Sequence, residues 1–454
     1  MTTRTVPTRT ARAAPGPRAR FPGEHLLASR RDPLEFFSQL SAEWGDVVQV
    51  RIGMLPVHLV SDPEHIREVL AVRHRDFHKG VGLQRARAIV GNGLLTSEDE
   101  LHRRQRRLIQ PAFHHQRIEE YAATMVACAG RTGERWHGLT GGRTARAATA
   151  PRIDAHAEMM RLTLTIVART LFGFDVEDRA AAIGRAMEAC LALFQRIGTM
   201  PLAGVLEWLP LPGTIRYHRA RRKLNAIVYD MIHERQAAAA DSGDLISMLL
   251  RAVDDETGAR MSDAQLRDEV ITLFLAGHET TADALAWSWL LLAQHPAVEA
   301  RLHEELASVL GERPATAADV PRLRYTRAVV AETLRLYPPA WIIGRRAIRD
   351  TEIGGYAIPA GAIVLVSPWV VHHDARWFAQ PCRFEPERWL DGSEARRPRF
   401  SFFPFGGGPR ICIGEQFAWT EAVLALATLA RRWRLRPAPD LRVELQPSIT
   451  LRPR

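Results

Sequence analysis

The stretch Phe405-Gly406-Gly407-Gly408-Pro409-Arg410-Ile411-Cys412-Ile413-Gly414 decides how this chain is read. Three consecutive glycines tolerate positive φ and let a backbone approach another group closely. Behind them stands one cysteine, and from Glu415 onward the apolar residues Ala418, Ala422, Ala425, Leu426 and Leu429 recur at helical spacing. Cys412 therefore precedes a helix N-terminus, where the dipole and free N–H groups favour a thiolate. Arg410 adds a fixed cation suited to a carboxylate. A cysteine alone reads more readily as a buried free thiol in a tight turn, which is common. The ten-residue pattern reads as a loop that presents one thiolate to a metal.

Outward from that loop, Ser262-Asp263-Ala264-Gln265 has capping-box spacing, and Pro296 is a stop. The interval predicts a helix from about Ser262 to Gln294, roughly 32 residues and about 48 Å at about 1.5 Å per residue. Its middle carries Ala276-Gly277-His278-Glu279-Thr280-Thr281. Small Ala276 and Gly277 allow a flat ligand against the backbone. Glu279 and Thr280 place an acid and an alcohol in an otherwise apolar run, costly unless paired or useful; a polar kink in a core helix is the plainer reading. His278-Glu279 opens an H-E-x-x-H pattern, but Ala282 stands where the second histidine is needed, so a zinc hydrolase is excluded.

Glu332 and Arg335 sit at i, i+3 on a helix ended by Tyr337-Pro338-Pro339, with Phe384-Glu385-Pro386-Glu387-Arg388-Trp389 following later. His102 and Arg106 share a helix face within Leu101–Arg107, and Arg345 opens Arg345-Arg346-Ala347-Ile348-Arg349-Asp350. Each of these alone also reads as an ordinary surface pair or solvated helix face.

Together these segments resemble the cytochrome P-450 superfamily over nearly the whole chain from about residue 21. Phe405–Gly414 matches every fixed position of the haem-binding signature F-G-x-G-x-R-x-C-x-G. Ala276–Thr281 matches the oxygen-activation motif, and Pro386–Trp389 resembles P-E-R-F with Trp389 for the usual Phe. The resemblance implies a mainly α fold with small β-sheets and a long central helix over the haem. It implies haem b (iron protoporphyrin IX) with Cys412 as the axial iron ligand, Phe405 and Gly406 beside the ring, and Arg410, His102, Arg106 and Arg345 on the propionates, Arg346 being an alternative to Arg345. It implies that Ala276 and Gly277 flank the cofactor. Thr280 would hydrogen-bond the bound dioxygen, Glu279 would relay protons, and Glu332, Arg335 and Arg388 would form a structural network. The implied activity is a monooxygenase inserting one oxygen atom from O2 into a lipophilic small molecule. By family analogy the substrate pocket is lined by Phe77–Ile89, Leu191–Leu206, Leu273–Ala276, Trp341–Ile343 and Ile449. Segments around Leu336–Trp341 and Leu101–Arg107 look like soluble bacterial enzymes that oxidise terpenes and carotenoids. Fatty-acid, steroid or polyketide hydroxylation, and an O2-independent haem isomerase or dehydratase, are the alternatives.

Composition bounds the rest. The 454 residues hold 46% hydrophobic side chains, enough for a large core, and no apolar run approaches a membrane span. Residues 1–20 read as a disordered basic tail and 21–454 as a single haem-thiolate monooxygenase domain. The net charge of +10 is nearly all arginine, scattered rather than patched, which argues against nucleic acid. Genomic base composition is the plainer explanation of so much arginine, and a face for an acidic redox protein is the functional one. Four widely spaced cysteines form no C-x-x-C pair, so neither an iron–sulfur cluster nor a zinc ribbon is encoded. No dinucleotide-binding G-x-G-x-x-G is present. Electrons are therefore expected from separate proteins, a ferredoxin and ferredoxin reductase, and the location is expected to be cytoplasmic.

Overall fold

The structure is a computed structural model, and it describes residues 11–140, 151–174, 182–187, 189–190, 211–238, 243–254 and 256–454. The chain forms two compact units.

The first unit, residues 1–81, 342–381 and 397–411, is built on a five-stranded sheet. The alternation seen over 47–60 becomes β1 (Val47–Ile52) and β2 (Leu55–Val60), an antiparallel hairpin closed by Gly53-Met54. Gly53 takes φ +62°, the left-handed conformation that two-residue hairpin turns require. β3 (Phe77–Lys79) and β4 (Ile343–Ala347) pair antiparallel, a side hairpin joins β5 (Thr351–Ile353) to β6 (Tyr356–Ile358), and β7 (Ile363–Val366) runs parallel to β2 and antiparallel to β4. Val60, Ile66, Leu70, Phe77, Val364 and Val366 form the core beneath this sheet.

Part of the tail expected over residues 1–20 is hydrogen-bonded into this unit. Residues 1–10 lie outside the described residues, but Arg12 N donates to Gly355 O (3.1 Å) and Gln49 N donates to Pro15 O (2.7 Å). Backbone pairing needs no side-chain pattern, so nothing in the Arg- and Pro-rich composition announced it.

The second unit, residues 82–341, 382–396 and 412–454, is helical. The helix Asp263–Gln294 begins where Ser262 accepts from the Gln265 N–H (3.2 Å) and ends at His295 before Pro296. It is buried on almost every side, as a helix through the middle of a core must be. The helix Ala155–Thr170 packs along it, and a Cβ on Gly277 would lie 3.0 Å from Val167 Cγ2. The alternating C-terminal sequence forms strands only at β8 (Leu445–Pro447) and β9 (Leu451–Pro453). Trp287 Nε1 donates to Leu451 O and Trp341 Nε1 to Ser448 O, both at 3.0 Å, pinning this hairpin onto the unit. No helix among the described residues is long and apolar enough to cross a membrane.

Candidate functional site

In the first unit the glycine loop lies directly on the backbone of residues 68–72. Gly406 (φ +76°) and Gly408 (φ +68°) are left-handed, and a Cβ on Gly408 would stand 2.0 Å from Leu70 O. No other residue satisfies both demands. Arg410 then reaches back, its Nη1 donating to His74 O (3.1 Å) and Phe77 O (2.9 Å). Phe405 is half-buried. On β4 Arg345 is buried while Arg346 is exposed, because strand neighbours face opposite sides. Arg345 is thus the one carried inside.

In the second unit Cys412 sits just ahead of the helix Glu415–Ala430, whose N-cap is Gly414. Its side chain is accessible, yet the surrounding protein mass decides its acidity. Burial pushes the thiol up to about 11; the Gly414 N–H and the Arg106 guanidinium oppose that, and Glu415 adds to it. The Gly414 N–H at the helix terminus favours the thiolate, as the sequence reading has it, without offsetting burial. A metal bound at Cys412 would favour the thiolate against that burial, since a coordinating thiol is deprotonated. Arg106 is half-buried on the helix Asp99–Ile109, one turn from buried His102. Its neighbours in the same run have other work: Arg104 and Arg107 clamp buried Asp254 at 3.2 and 3.0 Å.

The middle of the long helix opens at one stripe. Ala276 is exposed and Thr280 half-buried among residues that are otherwise mostly buried, and Thr280 Oγ1 donates to Ala276 O (3.0 Å). Gly277, expected beside Ala276 against a ligand, is instead turned toward Val167; its smallness serves the approach of two helices. Glu279 is buried, and its Oε1 accepts from Thr450 Oγ1 (2.5 Å) and from Arg452 Nε (3.0 Å) and Nη2 (2.5 Å). Sequence reasoning missed both partners, which lie more than 170 residues away, Thr450 in the β8–β9 turn and Arg452 on β9, with no motif of their own.

Glu332, Arg335 and Arg388 are brought together. Arg335 donates to both Glu332 oxygens at 2.8 Å, and Arg388 Nε donates to Oε1 at 2.9 Å. The Glu385 N–H adds a contact to Oε1 (3.0 Å) and Trp389 Nε1 one to Oε2 (2.9 Å). Trp389, where the family pattern has Phe, thus contributes a donor. Glu385 also pairs with Arg388 Nη2 (3.0 Å), balancing the second guanidinium.

Of the segments expected to line a substrate pocket, Leu191–Leu206 lies outside the described residues. In the second unit Leu273 and Trp341 are buried and Ile449 is exposed.

The donor set fits a haem. Within the second unit the accessible Cys412 thiol at a helix N-terminus has the Arg106 guanidinium near it and an open small-residue stripe on the long helix, and no group of three or more metal-ligating side chains is found among the described residues. An accessible thiol at a helix N-terminus with a guanidinium near it is the donor chemistry of a haem-thiolate oxidoreductase. The cytochrome P-450 family model matches residues 14–453, and the chain belongs to that family. It is an oxidoreductase of the monooxygenase type. It is 43% identical to "Cyclooctatin synthase" of Streptomyces melanosporofaciens over 94% of this chain and 91% of that one. It is 40% identical to "Pentalenene oxygenase" of Streptomyces avermitilis over 92% and 90%. Among solved structures it is similar to the cytochrome P450DA heme domain, with a TM-score of 0.87 and 27% identity over 98% of this chain and 96% of that one.

Proposed function

We propose that this enzyme inserts one oxygen atom from O2 into a lipophilic terpenoid. Cys412 would hold haem b, and a ferredoxin with its reductase would supply electrons in the cytoplasm. The terpenoid reading is supported by relatives bearing the names of a cyclooctatin synthase and a pentalenene oxygenase. A net charge of +10 supports an acidic redox partner. The observation that carries the cofactor assignment is the accessible Cys412 thiol with the Arg106 guanidinium beside it.

When bound, the haem supplies dioxygen activation, and its thiolate ligand favours O–O cleavage. Loading requires Cys412 to give up its proton, helped by Arg106 and the Gly414 N–H against the cost of burial. His102, Arg106, Arg345 and Arg410 would hold the two propionates, and Phe405 and Gly406 would flank the ring. Ala276 leaves room for a flat group at the helix surface. The Thr280 hydroxyl, now satisfied by Ala276 O, can turn to donate outward at little cost. Glu279 would hand it a proton. Glu332, Arg335 and Arg388 serve the fold.

The test is the absorption spectrum of the reduced, carbon-monoxide-bound protein beside Cys412→His. A thiolate-type Soret band in the parent that is lost in the variant is the expected result. A colourless protein after haem supplementation, or an imidazole-type band in the parent, refutes it. A panel of terpenes and fatty acids read by spin-state shift tests the substrate class: shifts with fatty acids alone would overturn the terpenoid reading.

A further inference from the structure

One turn beyond Glu279 the same helix buries a second acid. Asp283 is fully buried, and its Oδ1 meets His156 Nε2 at 2.9 Å. Its other oxygen, Oδ2, is buried with no donor at hydrogen-bond distance, while the Thr450 hydroxyl is close enough to stabilise its charge. That hydroxyl donates to Glu279 Oε1. At the other end His156 keeps about a quarter of its side chain accessible. It lies on the wall of a surface groove with Asp154, Trp136 and Trp289. An ion pair built for stability satisfies both carboxylate oxygens; a buried oxygen with no donor at hydrogen-bond distance is costly and calls for a reason.

We propose that His156, Asp283 and Thr450 form a proton-supply line from the surface groove to Glu279, which makes His156 and Asp283 positioning and relay residues for oxygen insertion. The inference rests on the role given to Glu279 above. The balance is simple. A water proton enters at His156 Nδ1 while Nε2–H passes its own to Asp283 Oδ1. The Asp283 carboxyl turns Oδ2 toward the nearby Thr450 hydroxyl and releases the Oδ2 proton to Oγ1 as Oδ1 accepts, and Thr450 passes its original hydroxyl proton to Glu279 Oε1. Only N–H and O–H bonds form and break, no electron moves, and one proton is taken from solvent for each delivered. Rotation of the carboxyl and a tautomer change of the imidazole reset the line. The groups facing Asp283 are His156 from the helix Ala155–Thr170, Glu279 on its own helix, and Thr450 from the hairpin turn, with Arg452 fixing Glu279. Burial raises the Asp283 carboxyl above the usual range, so it accepts a proton more readily than an exposed acid would.

The experiment compares the haem-loaded parent with His156→Gln, Asp283→Asn and Glu279→Gln. It reads product formed per electron pair, the solvent deuterium isotope effect, the reduced carbon-monoxide spectrum and the thermal midpoint. General acid–base groups are worth about 100-fold or more when nothing replaces them. With water as a partial substitute, coupling should fall about 3- to 10-fold in His156→Gln and Asp283→Asn, with a larger isotope effect and an unchanged carbon-monoxide spectrum. Parent-like coupling and isotope effect in both, with Glu279→Gln impaired, overturns the line and leaves Glu279 in place. Parent-like behaviour in all three overturns the Glu279 assignment and the line with it. Independent of turnover, infrared difference spectra in H2O and D2O should show a protonated carboxyl band in His156→Gln that is absent from Asp283→Asn. If no such band appears at any pH at which the protein is folded, Asp283 never carries a proton and the line is refuted. Should Asp283→Asn fold poorly, His156→Asn and the infrared measurement still decide.

Discussion

Two buried carboxylates in the helical unit have arginine partners and opposite designs. Glu332 is bound on both oxygens, by Arg335, Arg388, Trp389 and the Glu385 N–H. Glu279 has all its bonds on Oε1, from a two-stranded hairpin rather than a helix. A carboxylate with every lone pair engaged is locked in charge and position. One held on a single oxygen, a turn away from another half-satisfied acid, can still accept or pass a proton. Counting donors on each oxygen therefore separates a structural acid from a working one, where burial and arginine pairing alone do not.

The largest effect should come from breaking the saturated cluster. Glu332→Ala leaves two guanidinium groups without their shared buried carboxylate, and removing one partner of a buried ion pair costs roughly 3–5 kcal/mol. Denaturant unfolding should show that loss, with haem retention falling in parallel. A loss below about 1 kcal/mol, the scale of a surface ion pair, would erase the contrast. Next, Glu279→Gln keeps the shape but removes the charge facing Arg452, which is partly solvent-accessible. The expected stability loss is about 1.5–3 kcal/mol, the range for hydrogen bonds to charged groups, while coupling falls more steeply than stability. Equal proportional losses in both would mean that Glu279 is merely a second Glu332.

A third acid sharpens the scale from the other end. Glu421, on the helix that follows Cys412, is fully buried, and desolvation raises it well above the ordinary carboxylate range, with the Thr281 hydroxyl opposing only weakly. Its folded form keeps its proton at a pH where the unfolded chain, titrating near about 4.3, has lost it. The unfolded state then binds fewer protons, so this group's contribution to stability declines as pH rises from about 4 toward its raised folded value. Glu421→Gln should remove that slope and leave the variant relatively more stable at neutral pH than at pH 4. Urea midpoints at several pH values check it; parallel pH dependences for parent and variant would show that Glu421 is ionised in the fold.

Much of this was legible in the residues themselves. The long helix announced both ends, through Ser262 and Pro296, because caps and prolines act locally. The Cys412 loop was legible because Gly406 and Gly408 meet backbone demands that no other residue meets. What the chain hid was non-local or too short to show a period. β3 spans three residues and becomes a strand only by pairing Phe77 with Ala347. Between Trp433 and Leu445 the apolar alternation forms no strand, since Pro437 and Pro439 deny a ladder its N–H groups. Arg452 and Thr450 carried no signal at all, because only the fold brings them to Glu279.

The smallest and most discriminating change is Trp389→Phe, which restores the family's usual residue. It deletes one charged-group hydrogen bond, Trp389 Nε1 to Glu332 Oε2 at 2.9 Å, and part of a half-buried ring. Hydrogen bonds to charged groups contribute about 1.5–3 kcal/mol when a partner is left bare. Here Oε2 keeps its bond from Arg335 Nε, so the loss should fall nearer about 1 kcal/mol, the value for an ordinary hydrogen bond. Catalytic coupling should not change, because the deleted donor belongs to the saturated carboxylate. If Trp389→Phe disturbed coupling while leaving stability untouched, the division between locked and working acids would have to be redrawn around Glu332 instead.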